Sequence, residues 1–302
     1  MVDATFEARL AETAASVEQR LDALLGATPL DGERTRPARL LDAMRYASLG
    51  GGKRLRPFLV IETARLLGHT GEGAERAASA LELVHCYSLV HDDLPDMDDD
   101  DMRRGQPTVH RKYDPATAIL AGDALLTYAF DVLADPATDA DAGVRAELVL
   151  TLARTSGLGG MAGGQMLDLA AENRSLSEAE IAELQAMKTG ALIKASVAFG
   201  AILARADASL RRDLDRYATA IGLAFQLADD LLDVESHADA VGKATGKDAE
   251  RGKATLVGLL GLEASRRKLR DLVAEAEAAL SRFGPEASVL RTAARFIAER
   301  QA

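Results

Sequence analysis

From His91 to Thr108 the chain reads HDDLPDMDDDDMRRGQPT. Asp92, Asp93, Asp96, Asp98, Asp99, Asp100 and Asp101 fall within ten residues. Two carboxylates about 4 Å apart repel by roughly 1 kcal/mol even at the dielectric of water, and by more where water is scarce. Such a run either splays into solvent or closes on a cation. A second acidic motif, FQLADDLLD from Phe225 to Asp233, helps to decide. Its Asp229, Asp230 and Asp233 sit among Phe225, Leu227, Leu231 and Leu232, and the i, i+4 spacing puts Asp229 and Asp233 on one helical face. Like charges at that spacing destabilise an isolated helix, so a purely solvated face is a poor account of them. Carboxylate-only ligation suits a hard cation such as Mg²⁺, which completes its octahedron with water and substrate phosphate. Histidines and cysteines at ligand spacing are missing, which argues against zinc.

The positive residues cluster as well. Lys53, Arg54 and Arg56 follow Gly50-Gly51-Gly52, and Arg103 and Arg104 follow the first aspartate run. Lys188-Thr189-Gly190 lies mid-chain, and Lys243, Lys247 and Lys253 follow the second motif. Arginine forks and lysine point charges are natural partners of phosphate oxygens. GGGKRLRP does not match GxxxxGK[ST], so it is not a P-loop. Two acidic sites interleaved with basic patches point to a diphosphate held between metal ions and protein cations.

Helices must carry these groups. Apolar residues recur at helical spacing almost throughout, and alternating β-branched runs are lacking. The pattern predicts helices over 3–25, 38–49, 54–68, 72–94, 115–134, 142–157, 160–171, 177–204, 208–235, 253–260, 262–283 and 286–300. Asp114-Pro115 reads as an N-cap followed by proline at the first helical position. Ser177 and Glu180 have capping-box spacing, and Gly26, Gly68 and Gly284 fall at helix boundaries. Pro95 disturbs the helix that ends at Asp92 and Asp93, letting Asp96 and Asp98 turn back toward the same space. Two long connections, around 96–114 and 236–252, each follow an aspartate motif, and long loops in a compact helical domain are commonly functional.

The 302 residues are 48% hydrophobic, enough for a sizeable core, and no low-complexity linker or fixed-period repeat divides them. The net charge of −11 argues against a nucleic-acid partner. The single cysteine, Cys86, reads as a small buried hydrophobe in a reducing compartment. No secretory signal opens the chain, and the longest apolar stretch, Ala195 to Ala204, is too short for a membrane span. The expected setting is the cytoplasm.

GGKRLRP at 51–57, DDLPDMDDDDMRRGQPT at 92–108, GMAGGQMLD at 160–168, KTG at 188–190, FQLADDLLD at 225–233 and the GK pairs of 242–253 resemble the trans-isoprenyl diphosphate synthases in order and spacing. The resemblance implies an all-α, single-domain bundle over 1–302 around a deep central cavity, normally a homodimer. It implies that Asp92, Asp93, Asp98, Asp229, Asp230 and Asp233 hold several Mg²⁺ ions, for which Mn²⁺ can substitute. Arg103, Lys188, Thr189, Gln226, Lys243 and Lys253 would contact the allylic diphosphate. Lys53, Arg56, His85 and Arg104 would hold isopentenyl diphosphate, and Gln165 and Asp168 would support the metal site. Asp92, Asp93, Lys188, Asp229, Asp230 and Lys243 would thus carry the chemistry. The allylic C–O bond ionises, isopentenyl diphosphate attacks head-to-tail, and the released diphosphate takes the proton.

A helix rises ~1.5 Å per residue, so a residue five positions before Asp92 lies ~7–8 Å deeper. Tyr87 stands there with Ser88 beside it, and in the resembling family a bulky aromatic near this position floors the product cavity. A C15 product, farnesyl diphosphate, is therefore expected over C20. Tyr87 as ordinary packing is the plainer alternative. A terpene cyclase, a non-catalytic synthase subunit and a cation-buffering protein fit less well: both aspartate motifs and the KRLR and RRG clusters are present.

Overall fold

The structure, a computed structural model, describes residues 4–171, 174–239 and 255–299. It is all-α apart from one short hairpin. The helices are α1 (Ala4–Leu24), α2 (Ala38–Ser48), α3 (Leu55–Leu66), α4 (Glu72–Asp92), α5 (Val109–Lys112), α6 (Pro115–Ala134), α7 (Ala142–Ser156), α8 (Met161–Ala171) and α9 (Glu178–Gln185). After a π-helical turn at Ala186–Gly190 come α10 (Ala191–Leu203), α11 (Ala208–Asp239), α12 (Leu256–Leu260), α13 (Leu262–Ala279) and α14 (Ser288–Ala298). Strands β1 (Met102–Arg103) and β2 (Gln106–Pro107) pair antiparallel between α4 and α5.

The caps form as their chemistry predicts. Asp114 accepts a hydrogen bond from the Thr117 N–H at 2.7 Å, with Pro115 at the first helical position of α6. Ser177 and Glu180 make the reciprocal capping box of α9. Gly68 has φ +81° just beyond α3.

The structure departs from the expected elements in three places. The single helix expected over 177–204 is interrupted by the π-helical turn, with α-helix on both sides of it. The stretch expected as loop contains the hairpin and α5, both too short to carry a period. The last two expected helices are separated by a 3₁₀ segment, Ser281–Ala287, kinked where Gly284 takes φ +61°.

Two buried apolar clusters result. One gathers Leu21, Leu81, Leu83, Leu125 and Leu148 from α1, α4, α6 and α7. The other gathers Phe6, Phe58, Tyr217, Leu227 and Leu290 from α1, α3, α11 and α14. α10 serves both: Leu192, Phe199 and Leu203 face the first cluster, Ile193 and Val197 the second. A helix apolar nearly all round belongs between two cores. Among the described residues, Pro115–Ala134 and Glu178–Leu203 are long and apolar enough to cross a membrane by length and composition, longer than the stretch the sequence singles out. The second of these crosses the π-helical turn and packs through α10 against α3, α4, α7 and α11.

Candidate active site

α4 delivers the first motif. Its last turn ends at Asp92, and Asp93 begins the departure. Past Pro95 the chain doubles back: the Asp98 N–H donates to the Asp92 carbonyl at 2.8 Å, and the Asp99 N–H to the Leu94 carbonyl at 3.1 Å. Asp98 thereby returns beside Asp92, as the proline predicts, but Asp96, expected to turn back with it, stays exposed. Asp92 is partly buried, and its carboxyl is pushed up to about 6. Desolvation is the main cause; Asp98 and Asp93 push the same way, and Lys188 and Arg103 oppose them.

The hairpin brings the two arginines home. Arg104 at φ +51° and Gly105 at φ +76° make the tight turn. Arg103 then donates to Asp93 Oδ1 through Nε at 2.7 Å, with Nη2 at 2.6 Å from the same oxygen. Asp93 is buried, and desolvation raises its pKa against the pull of Arg103. Arg104 donates to the Gly51 carbonyl at 2.6 Å and so closes on the glycine run.

The π-helical turn carries Lys188 and Thr189. Lys188 Nζ donates to Asp168 Oδ2 of α8 at 2.5 Å. Thr189 Oγ1 donates to Gln226 Oε1 of α11 at 3.0 Å. Gln226 Nε2 in turn donates to Asp230 Oδ1, and Gln185 Nε2 to Asp230 Oδ2, both at 2.9 Å. The turn therefore links the neighbourhood of the first motif to the second. Asp230 is buried, and its desolvation raises its pKa against these two amides. Asp229 is partly buried and Asp233 exposed.

Two adjoining spaces open among these residues. The larger, about 420 Å³, runs down from Asp92, Lys188 and Thr189. Met161, Met166, Leu169 and Leu192 give it apolar walls, and Tyr87 and Ser88 also line it. The smaller, about 130 Å³, is basic: Lys53, Arg56, Arg104 and His85 line it with Phe225 and Phe296. Arg56 and His85 belong to both. Burial holds the His85 pKa well below its ordinary value, and Arg56, Arg104, Arg54 and Arg103 push it further down.

Lys53, Arg56, His85 and Arg104 thus gather in one pocket; Asp92, Lys188, Thr189 and Gln165 gather in the other. Arg103 and Gln226 are drawn into contacts with Asp93, Thr189 and Asp230. Lys243 and Lys253 lie outside the described residues. Sequence reasoning missed Gln185, whose buried amide holds Asp230; its place three residues before Lys188 is a signal only once the π-helical turn is known. It also left Arg54 without a role. The Arg54 guanidinium donates to Glu82 at 2.5 Å and to Glu18 and the Ser48 carbonyl at 2.6 Å, so it braces the start of α3, between Lys53 and Arg56, from inside.

Residues 37–284 match the polyprenyl synthetase model, and the chain belongs to that family. It is 45% identical over 270 residues to the farnesyl diphosphate synthase of Escherichia coli (strain K12), covering 86% of this chain and 89% of that protein. It is 41% identical over 268 residues to the geranylgeranyl diphosphate synthase of Cyanophora paradoxa, covering 88% and 89%. The apo crystal structure of an FPP/GFPP synthase from Zymomonas mobilis superposes with a TM-score of 0.86 at 44% identity, covering 97% of this chain and 99% of that one.

Proposed function

We propose that the chain is a farnesyl diphosphate synthase, condensing isopentenyl diphosphate head-to-tail with dimethylallyl and then geranyl diphosphate. The observation that carries this reading is the pair of adjoining spaces: an apolar cavity headed by Asp92 and Lys188, joined through Arg56 and His85 to a basic pocket. Such a pair suits one allylic and one homoallylic diphosphate side by side.

The acidic residues fit Mg²⁺. Their donors are carboxylate oxygens, and burial beside Asp98 and Asp93 makes the Asp92 charge costly until a cation offsets it. In this reading Asp92, Asp93 and Asp98 with Asp229, Asp230 and Asp233 would hold the ions; Asp93 and Asp230 are also fixed by Arg103 and by Gln185 and Gln226. Bound Mg²⁺ supplies positive charge to the departing diphosphate. Lys188, Thr189 and Arg103 add hydrogen-bond donors and charge where negative charge develops. Lys53, Arg56 and Arg104 orient isopentenyl diphosphate, and neutral His85 adds a donor without adding charge. The methionine and leucine walls keep water from the allylic cation. Its C1 bonds to the terminal alkene carbon of isopentenyl diphosphate, and the released diphosphate takes the proton that restores the double bond.

Tyr87 supports a stop at C15, since it lines the cavity below Asp92. Exposed Ile119, Leu120 and Leu150 on α6 and α7 support a homodimer as the working form. The buried, unpaired Cys86 is in keeping with a cytoplasmic setting.

The test is a product assay with isopentenyl diphosphate and, separately, C5, C10 and C15 allylic diphosphates, read by mass spectrometry. Product ending at C15, none with a chelator present, and longer chains from Tyr87→Ala are expected. Conversion of the C15 starter to C20 by the unaltered chain would replace this reading with a geranylgeranyl diphosphate synthase.

A further inference from the structure

One turn from Tyr87 toward Asp92 on α4, the ring of His91 is seated in a notch of α6. The notch exists because residue 122 is glycine. A Cβ built there would lie 2.1 Å from His91 Nε2, 2.4 Å from Cδ2 and 2.8 Å from Cε1, and these ring atoms are its three nearest neighbours. The same Nε2 lies 3.1 Å from the Ile119 carbonyl oxygen of α6. A carbonyl only accepts, so Nε2 carries the proton and donates it, which fixes the ring's tautomer and orientation. The Asp123 carboxylate stands 3.9 Å from that nitrogen. Tyr87 meets the ring edge-on, with centroids 5.7 Å apart and planes at 80°. Tyr87 and His91 both line the 420 Å³ cavity.

We propose that Gly122 and His91 set product length by fixing where Tyr87 stands. His91 is a positioning residue and position 122 is a specificity determinant placed on the helix behind the cavity. The proposal rests on the reading of Tyr87 as the cavity floor. The logic is steric. α4 and α6 are locked together by Leu81, Leu83, Ala118, Ala121 and Leu125, all fully buried, so the helices resist spreading. A methyl group at 122 must instead expel the His91 ring toward Tyr87 and the cavity, and the space becomes shallower. Removal of the ring takes away the backing of Tyr87, and the space becomes deeper.

The test compares product distributions from dimethylallyl and isopentenyl diphosphate for the unaltered chain, Gly122→Ala, His91→Ala and the double variant. The ratio of chain lengths is the readout, because it separates a moved floor from a general loss of rate. Gly122→Ala should raise the C10-to-C15 ratio about tenfold, the scale on which one methylene discriminates in an apolar pocket. His91→Ala should shift product toward C20. The double variant, with no ring to expel, should lose the C10 excess. An unchanged ratio in Gly122→Ala, or a C10 excess that persists in the double variant, would overturn the proposal. Should Gly122→Ala fail to fold, His91→Ala decides: longer product supports the notch, and unchanged product sinks it. The unaltered chain separates the two readings. C20 as its main product overturns the farnesyl assignment while the direction of the shift at 122 still tests the notch, and no prenyl product at all overturns both.

Discussion

His85 shares its pocket with Arg56 and Arg104, and its pKa lies well below the ordinary 6.5 through burial and those charges. The folded chain therefore holds it neutral. Below about pH 6.5 the unfolded chain binds a proton that the folded chain refuses, so stability drops as pH falls from there toward the folded-state value. Above that range the group contributes no slope. His85→Gln removes this linkage, and its melting temperature should fall less than that of the unaltered chain between about pH 7.5 and 5.5. Equal falls would show that the histidine is not held neutral. Its neighbour Arg54 shows what the sequence hides at this scale. Lys53, Arg54 and Arg56 look alike as phosphate ligands, yet Arg54 is buried and paired with buried Glu82. Burial works against its charge, and Glu82 and Glu18 more than restore it. Removing one partner of such a pair typically costs about 3–5 kcal/mol, because the other charge is left uncompensated. Cys86, by contrast, is the small buried hydrophobe that its apolar surroundings predict.

The π-helical turn is the element on which the site hinges. It is seated against α8 at Gly164, where a Cβ would stand 2.2 Å from the Lys188 nitrogen and 2.6 Å from its Cα. Both are backbone atoms, so no side chain can swing aside. Gly164→Ala should destabilise the fold by about 1–3 kcal/mol, as overpacking does. On the proposed assignment it should also raise KM for the allylic diphosphate more than KM for isopentenyl diphosphate. Denaturant unfolding and steady-state kinetics check the two effects, and an equal rise in both KM values would detach the turn from the allylic site. Caps and proline signals made the ends of α6 and α9 and the reversal after Asp93 legible in the sequence. The π-helical turn was not legible, since the run stays helical on both sides of it and no residue type marks the extra residue of its single turn.

At the scale of the whole molecule, the all-α class and the pairing of acidic and basic motifs could be read from spacing alone. The sequence does not disclose how many cavities those motifs frame, because that depends on which side chains are spent on each other: Arg103 on Asp93, Lys188 on Asp168, Gln226 on Asp230. Light scattering should give a mass of twice the 32.0 kDa chain. A mass of one chain would leave the exposed leucines of α6 and α7 without the partner proposed for them.

The two spaces meet at Arg56 and His85, and this has a consequence for repeated turnover. On the proposed assignment, each condensation expels the diphosphate at the carboxylate end and keeps the one in the basic pocket. The surviving diphosphate must then cross the partition before the chain can grow again. Elongation is thereby a ratchet, and translocation past one arginine and one neutral histidine separates every round from the next.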